Sequence, residues 1–131
     1  MTNTISQRQS KYCRDIEVLL SRLGHATNSR LLFELRKTYP SLSATTVHRA
    51  TARLAARDVI AIAPTHIDGS MQYDAYISPH DHFQCSVCGM LRDADIKNEV
   101  VTILESSISD CHVSGRLTIS GVCKKCKGAR I

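Results

Sequence analysis

His80-Asp81-His82-Phe83-Gln84-Cys85-Ser86-Val87-Cys88-Gly89 gathers two imidazoles and two thiols, and Cys123-Lys124-Lys125-Cys126 answers it downstream. A thiolate is a soft, strong ligand for zinc, and four of them close a tetrahedral shell. A CxxC at a tight turn aims both sulfurs at one ion. The two pairs therefore predict one structural Zn(II) held by Cys85, Cys88, Cys123 and Cys126. The 34 residues between the pairs exceed the usual zinc-ribbon gap, so that segment must carry structure of its own. A redox pair is the competing use of a CxxC, and two such pairs in one small chain argue against it.

The chain has 131 residues, enough for one ordinary domain or two small ones. Apolar residues make up 43% of it, but aromatics are few and Trp is absent, so a metal cross-link would help a thin core. No apolar run reaches the length of a membrane span. Met1 to Arg8 has no apolar core of a secretory signal, and the paired cysteines suit a reducing cytosol, so a cytoplasmic location is expected. Cys13 and Cys111 lie outside the pairs and read as small core residues. The net charge of +5 is uneven: from Arg30 to Arg57 six Lys and Arg face Glu34 alone. That stretch points to a polyanion, unless it is only a solvated helix face.

Tyr12, Ile16, Leu19, Leu20 and Leu23 fall on one face of a helix over 11–23, which Gly24 ends. His25-Ala26-Thr27 reads as a turn. Thr27 or Asn28 caps a second helix with Leu31, Leu32 and Leu35 inward, and Pro40 stops it. Ser43 caps a third, from Ala44 to about Arg57. It turns Val47, Ala50, Thr51 and Leu54 to one side and Thr45, His48, Arg49, Ala52 and Arg53 to the other. Such a helix fits a DNA major groove, where Arg binds guanine edges and Thr or His reaches bases or phosphates.

Val59–Ala63 and Met71–Ile77 read as a hairpin around Pro64–Gly69, with alternation from Gln72 to Tyr76. A hairpin after the third helix makes a winged helix whose tip can track the phosphate backbone. After Pro79, Phe83-Gln84 and Leu91-Arg92-Asp93 read as pairing strands. A helix from Ile96 to about Ser109 has Val100, Ile103, Leu104 and Ser107 inward. A strand from Val113 to Val122, with Leu117 and Ile119 on one face, delivers Cys123. One face of so small a sheet stays apolar and exposed, which argues for a homodimer.

These segments, in this order, resemble the ferric uptake regulator superfamily of bacterial metal-dependent repressors. Ser43 to Leu54 with Thr46-Val47-His48-Arg49, the His80–Gly89 block and Gly121-Val122-Cys123-Lys124-Lys125-Cys126 carry the resemblance, which runs from about Lys11 to Lys127. The resemblance implies an α+β fold. An N-terminal winged-helix DNA-binding domain spans 1–78, and a small α/β dimerisation domain with the four-cysteine zinc site spans 79–131. It implies a double-stranded DNA operator as partner, contacted by Thr45, Thr46, His48, Arg49 and Arg53. It implies no enzymatic activity.

On residue type alone, His25, Asp74, His80, His82 and Asp93 are weak metal candidates. They match the family's regulatory site, and the resemblance makes them ligands of one shell. Three imidazoles and two carboxylates suit Fe(II) or Mn(II), and Zn(II) less well. The site would join the two domains, so that metal fixes the angle between them and hence DNA affinity. Both carboxylates are Asp, as in the peroxide-sensing branch, where the iron-sensing branch tends to have Glu. By that likeness His25 and His80 are the residues at risk of oxidation, and a sensor of iron or another metal level is the alternative.

Four features depart from the family's pattern. His48 stands where Tyr is usual, and Asp58 where Gly is common. The first helix looks shortened. A third metal site of some members is incomplete: Asp81 is present, but Pro79 and Gly115 replace His. His66 and His112 read as surface histidines.

Other classes fit less well. A zinc deaminase needs His-x-Glu and Pro-Cys-x-x-Cys, and here Gln84 and Val122 precede the pairs. A thiol oxidoreductase uses one CxxC in a βαβ unit. A zinc-stabilised protein-interaction module without DNA binding has no use for the basic Arg30–Arg57 stretch.

Overall fold

The computed structural model describes residues 4–129. The chain forms two compact units, Met1–Ile77 and Ser78–Ile131. No helix among the described residues is long and apolar enough to cross a membrane.

The first unit runs α1 (Thr4–Leu23), β1 (His25–Thr27), α2 (Asn28–Leu35), α3 (Ala44–Ala56), β2 (Ala61–Ala63) and β3 (Gln72–Asp74). Helix α1 begins well before Lys11. No Gly or Pro interrupts Thr4 to Leu23, and a polar first stretch leaves no apolar period to read. The helix ends at Gly24, whose N–H bonds to the Leu20 carbonyl at 2.7 Å with φ +83°, a backbone state that glycine adopts without penalty. Thr27 caps α2 by accepting from the Arg30 N–H at 3.2 Å. Ser43 caps α3 by accepting from the Thr46 N–H at 3.2 Å.

The three helices enclose a core of Ile16, Leu19, Leu20, Leu31, Leu35, Val47, Ala50 and Leu54, with Ile60 and Tyr73 from the hairpin. Thr51 is fully buried, and its hydroxyl donates to Asn28 Oδ1 at 2.9 Å, tying α3 to the start of α2. Cys13 is half-buried against this core, with Sγ 3.9 Å from the Ala50 carbonyl.

His25–Thr27 is a strand rather than the expected turn. It pairs antiparallel with β3, which pairs antiparallel with β2 on its other side. Three residues are too few to show a period, and the partner lies far along the chain. The alternation expected from Gln72 to Tyr76 is absent within β3. Gln72, Tyr73 and Asp74 are all buried in this middle strand, which has a hydrogen-bonded neighbour along each edge.

The second unit runs β4 (Asp81–Cys85), β5 (Leu91–Ala94), α4 (Lys97–Ile108), β6 (Thr118–Gly121) and α5 (Lys124–Ala129). The sheet order is β5-β4-β6, with β4 antiparallel to β5 and parallel to β6. Gly121 lies where the Phe83 ring crosses β6; an added Cβ would sit 2.9 Å from that ring.

Little here is enclosed. Helix α4 buries none of its residues. Val100 and Leu104 are half-buried, but Ile103, expected inward, is 66% exposed, and Ser107 is exposed. A helix on three short strands covers only a narrow stripe of itself. Ile108 and Ile119 are also exposed, so the unit presents apolar surface to solvent. Val113 to Leu117 is irregular rather than strand. Cys111 is exposed, not a core residue, because this stretch packs against nothing that would cover it. Arg130 and Ile131 lie outside the described residues, and the chain before them forms α5, which no apolar pattern marks.

Candidate functional site

The four paired cysteines converge at one end of the β4–β6 sheet. Cys85 closes β4, Cys88 sits in the turn before β5, and Cys123 and Cys126 flank the start of α5. Their sulfurs lie within 4.8 Å of one another, and Cys88 and Cys123 Sγ are 3.8 Å apart. A tetrahedron with Zn–S bonds of about 2.3 Å has an edge of about 3.8 Å, so the spacing fits one zinc ion.

Backbone N–H groups serve the sulfurs as they would serve thiolates. Val87, Cys88 and Cys123 N–H point at Cys85 Sγ, Met90 N–H at Cys88 Sγ, and Cys126 N–H at Cys123 Sγ. The Cys88 and Cys123 amides hold the Cys85 thiol down at about 6 against the opposing effect of burial. The hydrogen bond to the Cys123 thiol, with burial, pushes Cys126 up to about 12. Gly89, at φ +81°, closes the first knuckle through its N–H to the Cys85 carbonyl. Arg92, Lys124 and Lys125 line a cavity of about 760 Å³ with Cys88 and Cys123. Their charge would offset the negative excess of four thiolates if a dication were held there.

The histidines and aspartates form one group in each unit. In the first, the β1·β3 register sets His25 opposite Asp74, and His25 Nε2 lies 3.2 Å from Asp74 Oδ2. Asp74 is buried, and its other oxygen accepts from the Tyr76 N–H at 2.8 Å. In the second, the β4·β5 register sets His82 opposite Asp93. Asp93 Oδ1 lies 3.0 Å from His80 Nε2 and 3.4 Å from His82 Nε2.

Two histidines at i and i+2 on a regular strand share a face but stand about 6.6 Å apart, too far to converge on one ion. His80 escapes this because β4 starts only at Asp81, and the two rings come to 4.3 Å between centroids. The Ser78 carbonyl faces His80 Nδ1 at 2.7 Å, so Nε2 is turned toward Asp93. A second-atom anchor of this kind is how ligating imidazoles are oriented. Both groups offer the nitrogen and carboxylate donors that a divalent metal of intermediate hardness takes.

Asp81, the expected remnant of a third metal site, does something else. It is fully buried. Its Oδ2 accepts from the Ile96 and Lys97 N–H groups at 3.0 and 2.8 Å, and its Oδ1 from the Leu117 N–H at 3.0 Å, with Arg116 Nε at 3.5 Å. Burial opposes the charge, but the three N–H bonds prevail and hold the carboxyl down at about 2. No local pattern marks this role, because the donors lie at least fifteen residues away. His66 pairs with Asp68 in the hairpin turn, and His112 pairs with Glu105, so each serves its own loop.

On α3, Val47, Ala50, Thr51 and Leu54 are buried, while Thr45, His48, Arg49, Ala52 and Arg53 are exposed. Thr46 is half-buried, and its hydroxyl meets that of Ser43 at 2.9 Å, within the cap. The β2–β3 hairpin differs from a phosphate-tracking tip. From Asp58 to Ile77 it has no Lys or Arg and three aspartates, and it exposes Ile62, Ile67 and Met71.

A model of the ferric uptake regulator family matches residues 6–114. No curated protein sequence matches the chain. Among solved structures, the Campylobacter jejuni peroxide stress regulator is 25% identical with a TM-score of 0.68, covering 92% of each chain. The Helicobacter pylori ferric uptake regulator, described as having three functional metal binding sites, is 24% identical with a TM-score of 0.68, covering 90% of this chain and 83% of that one. A zinc uptake regulator complexed with zinc and DNA is 15% identical with a TM-score of 0.59, covering 98% and 99%. The last two likenesses concern the fold.

Proposed function

The chain belongs to the ferric uptake regulator family, whose members are transcriptional regulators and not enzymes, and we propose that it is a metal-dependent DNA-binding repressor that senses peroxide. The first unit is the winged-helix reader and the second the dimerisation domain. Cys85, Cys88, Cys123 and Cys126 hold structural Zn(II). His25, Asp74, His80, His82 and Asp93 form one regulatory site for Fe(II) or Mn(II).

The carrying observation is that each unit already gathers its share of that shell, with aspartate as the carboxylate in both. Residues 75–79 alone separate the two shares in sequence, a tether of roughly 20 Å at full extension. One metal taking donors from both shares holds the units at one angle, and DNA affinity then follows metal occupancy. On the exposed face of α3, Thr45, His48, Arg49 and Arg53 meet an operator duplex, with Thr46 at the edge of that face. Ile103, Ile108 and Ile119 are the surface that a second copy covers in a homodimer. The cytoplasm, where thiols stay reduced, is the compartment this chemistry needs.

Iron in the regulatory site supplies one-electron chemistry toward hydrogen peroxide. The chain supplies the imidazoles that would take the damage: per peroxide, His25 or His80 would gain one oxygen while the other leaves as water, and the oxidised ring would ligate more weakly and release the hinge. The 25% identity to a peroxide stress regulator supports this reading. The test is mass spectrometry of the His25 and His80 peptides, with DNA retardation, on iron- and manganese-loaded protein before and after peroxide. One added oxygen on histidine in the iron form alone, with loss of DNA, supports it. An iron form that keeps its DNA and gains no oxygen is a sensor of metal level instead.

A further inference from the structure

Asp81 lies between two proposed ligands, His80 and His82, yet both of its oxygens face inward. Three backbone N–H groups donate to the carboxylate, and the Arg116 guanidinium lies 3.5 Å away as an ion pair. Two of those donors, Ile96 and Lys97, begin α4, which has no side-chain cap of its own. The third, Leu117, immediately precedes β6, and its carbonyl also accepts from the His82 N–H at 2.9 Å. One residue thus ties the ligand-bearing strand to the start of α4 and to the start of β6.

We propose that Asp81 is a positioning residue: it holds His80 and His82 in ligating register and couples metal occupancy of their cluster to the packing of α4 and β6. The inference rests on the regulatory-site reading above. Because both oxygens are buried and already engaged by these donors, Asp81 is assigned no ligand role of its own. Its carboxylate sets the backbone from which both imidazoles project, and a hydrogen bond one shell out from a metal commonly governs affinity. The coupling is reciprocal, so metal on the histidines steadies the ends of α4 and β6.

The decisive measurement is Mn(II) binding to zinc-loaded wild type, Asp81→Asn and His82→Ala, with zinc content and circular dichroism alongside. Asparagine presents an NH2 where an oxygen now accepts N–H, so the clamp breaks while the ligands stay. The expected result is Mn(II) affinity lower by roughly 10- to 100-fold in Asp81→Asn, at unchanged zinc content and helicity. An affinity within about twofold of wild type overturns the inference. If the wild type takes up no Mn(II), or His82→Ala binds it as the wild type does, the regulatory-site reading fails and this inference fails with it. Should Asp81→Asn lose its zinc or helix, hydrogen exchange on the wild type decides. Mn(II) should slow exchange at the Ile96, Lys97 and Leu117 amides, and not do so in His82→Ala. Unchanged exchange at those amides in a protein that binds Mn(II) refutes the coupling.

Discussion

Stripping the metal from the cysteine cluster should melt the second unit and leave the first folded. The first unit encloses an apolar core drawn from three helices and a hairpin. In the second, among the described residues, Cys85 is the only apolar side chain that is buried, and α4 buries nothing. A unit of this size seldom draws more than about 3–5 kcal/mol from its core even when the core is good, and this one is poor. A metal on these sulfurs would cross-link positions 35 apart, Cys88 and Cys123. Closing such a loop removes unfolded-state entropy equivalent to roughly 4 kcal/mol at 25 °C, and apparent zinc affinities in small folds add about 10–16 kcal/mol. The loop-closure figure alone matches what such a core can supply, and the zinc affinity exceeds it.

The assay is hydrogen exchange by mass spectrometry, with and without a strong zinc chelator, and on Cys123→Ser. Amides of β4, β5 and β6 should lose protection in both cases, and those of α1, α2 and α3 should keep it. A zinc-free protein whose β4–β6 amides stay protected would show that the unit stands without its metal and refute the argument.

Arg49→Ala and Arg53→Ala should each weaken operator binding, by about 1–3 kcal/mol if the side chain reads a base edge. If retardation assays at two salt concentrations show neither effect, α3 is not the reading helix. Asp58 follows the C-cap of α3 at φ +58°, so Asp58→Gly should raise the stability of the first unit by about 0.5–1 kcal/mol, seen as a higher denaturant midpoint. Zinc affinity should fall with acid, and by one further proton per ion below about pH 6, where metal-free Cys85 becomes protonated. Competition against a chromophoric chelator across that pH reads the change of slope.

What could be read ahead of the structure was local. Ser43 and the period of Val47, Ala50, Thr51 and Leu54 place α3 within a residue, because a cap and a helical face are both written in a short span. The paired cysteines are visible for the same reason. Strand β1 was not, since three residues show no period and only the distant β3 makes them a strand. The role of Asp81 was not legible because its partners are remote. Ile103 was assigned inward on a pattern that cannot tell a surface covered by the same chain from one that is left exposed.

The cation-free hairpin from Asp58 to Ile77 has a thermodynamic consequence on DNA. Each phosphate that a protein neutralises releases about 0.9 of a condensed counterion, and that release drives sequence-blind affinity. A hairpin without Lys or Arg releases almost none, so the counterion yield of this protein comes from its helices. If the protein binds DNA as proposed, the hairpin would add little to its sequence-blind affinity or to its salt dependence, and the basic Arg30–Arg57 stretch would supply most of both. On the proposed DNA-binding reading, such a protein would spend little of its search bound to the wrong sequence, and its residence at an operator would rest on the exposed side chains of α3.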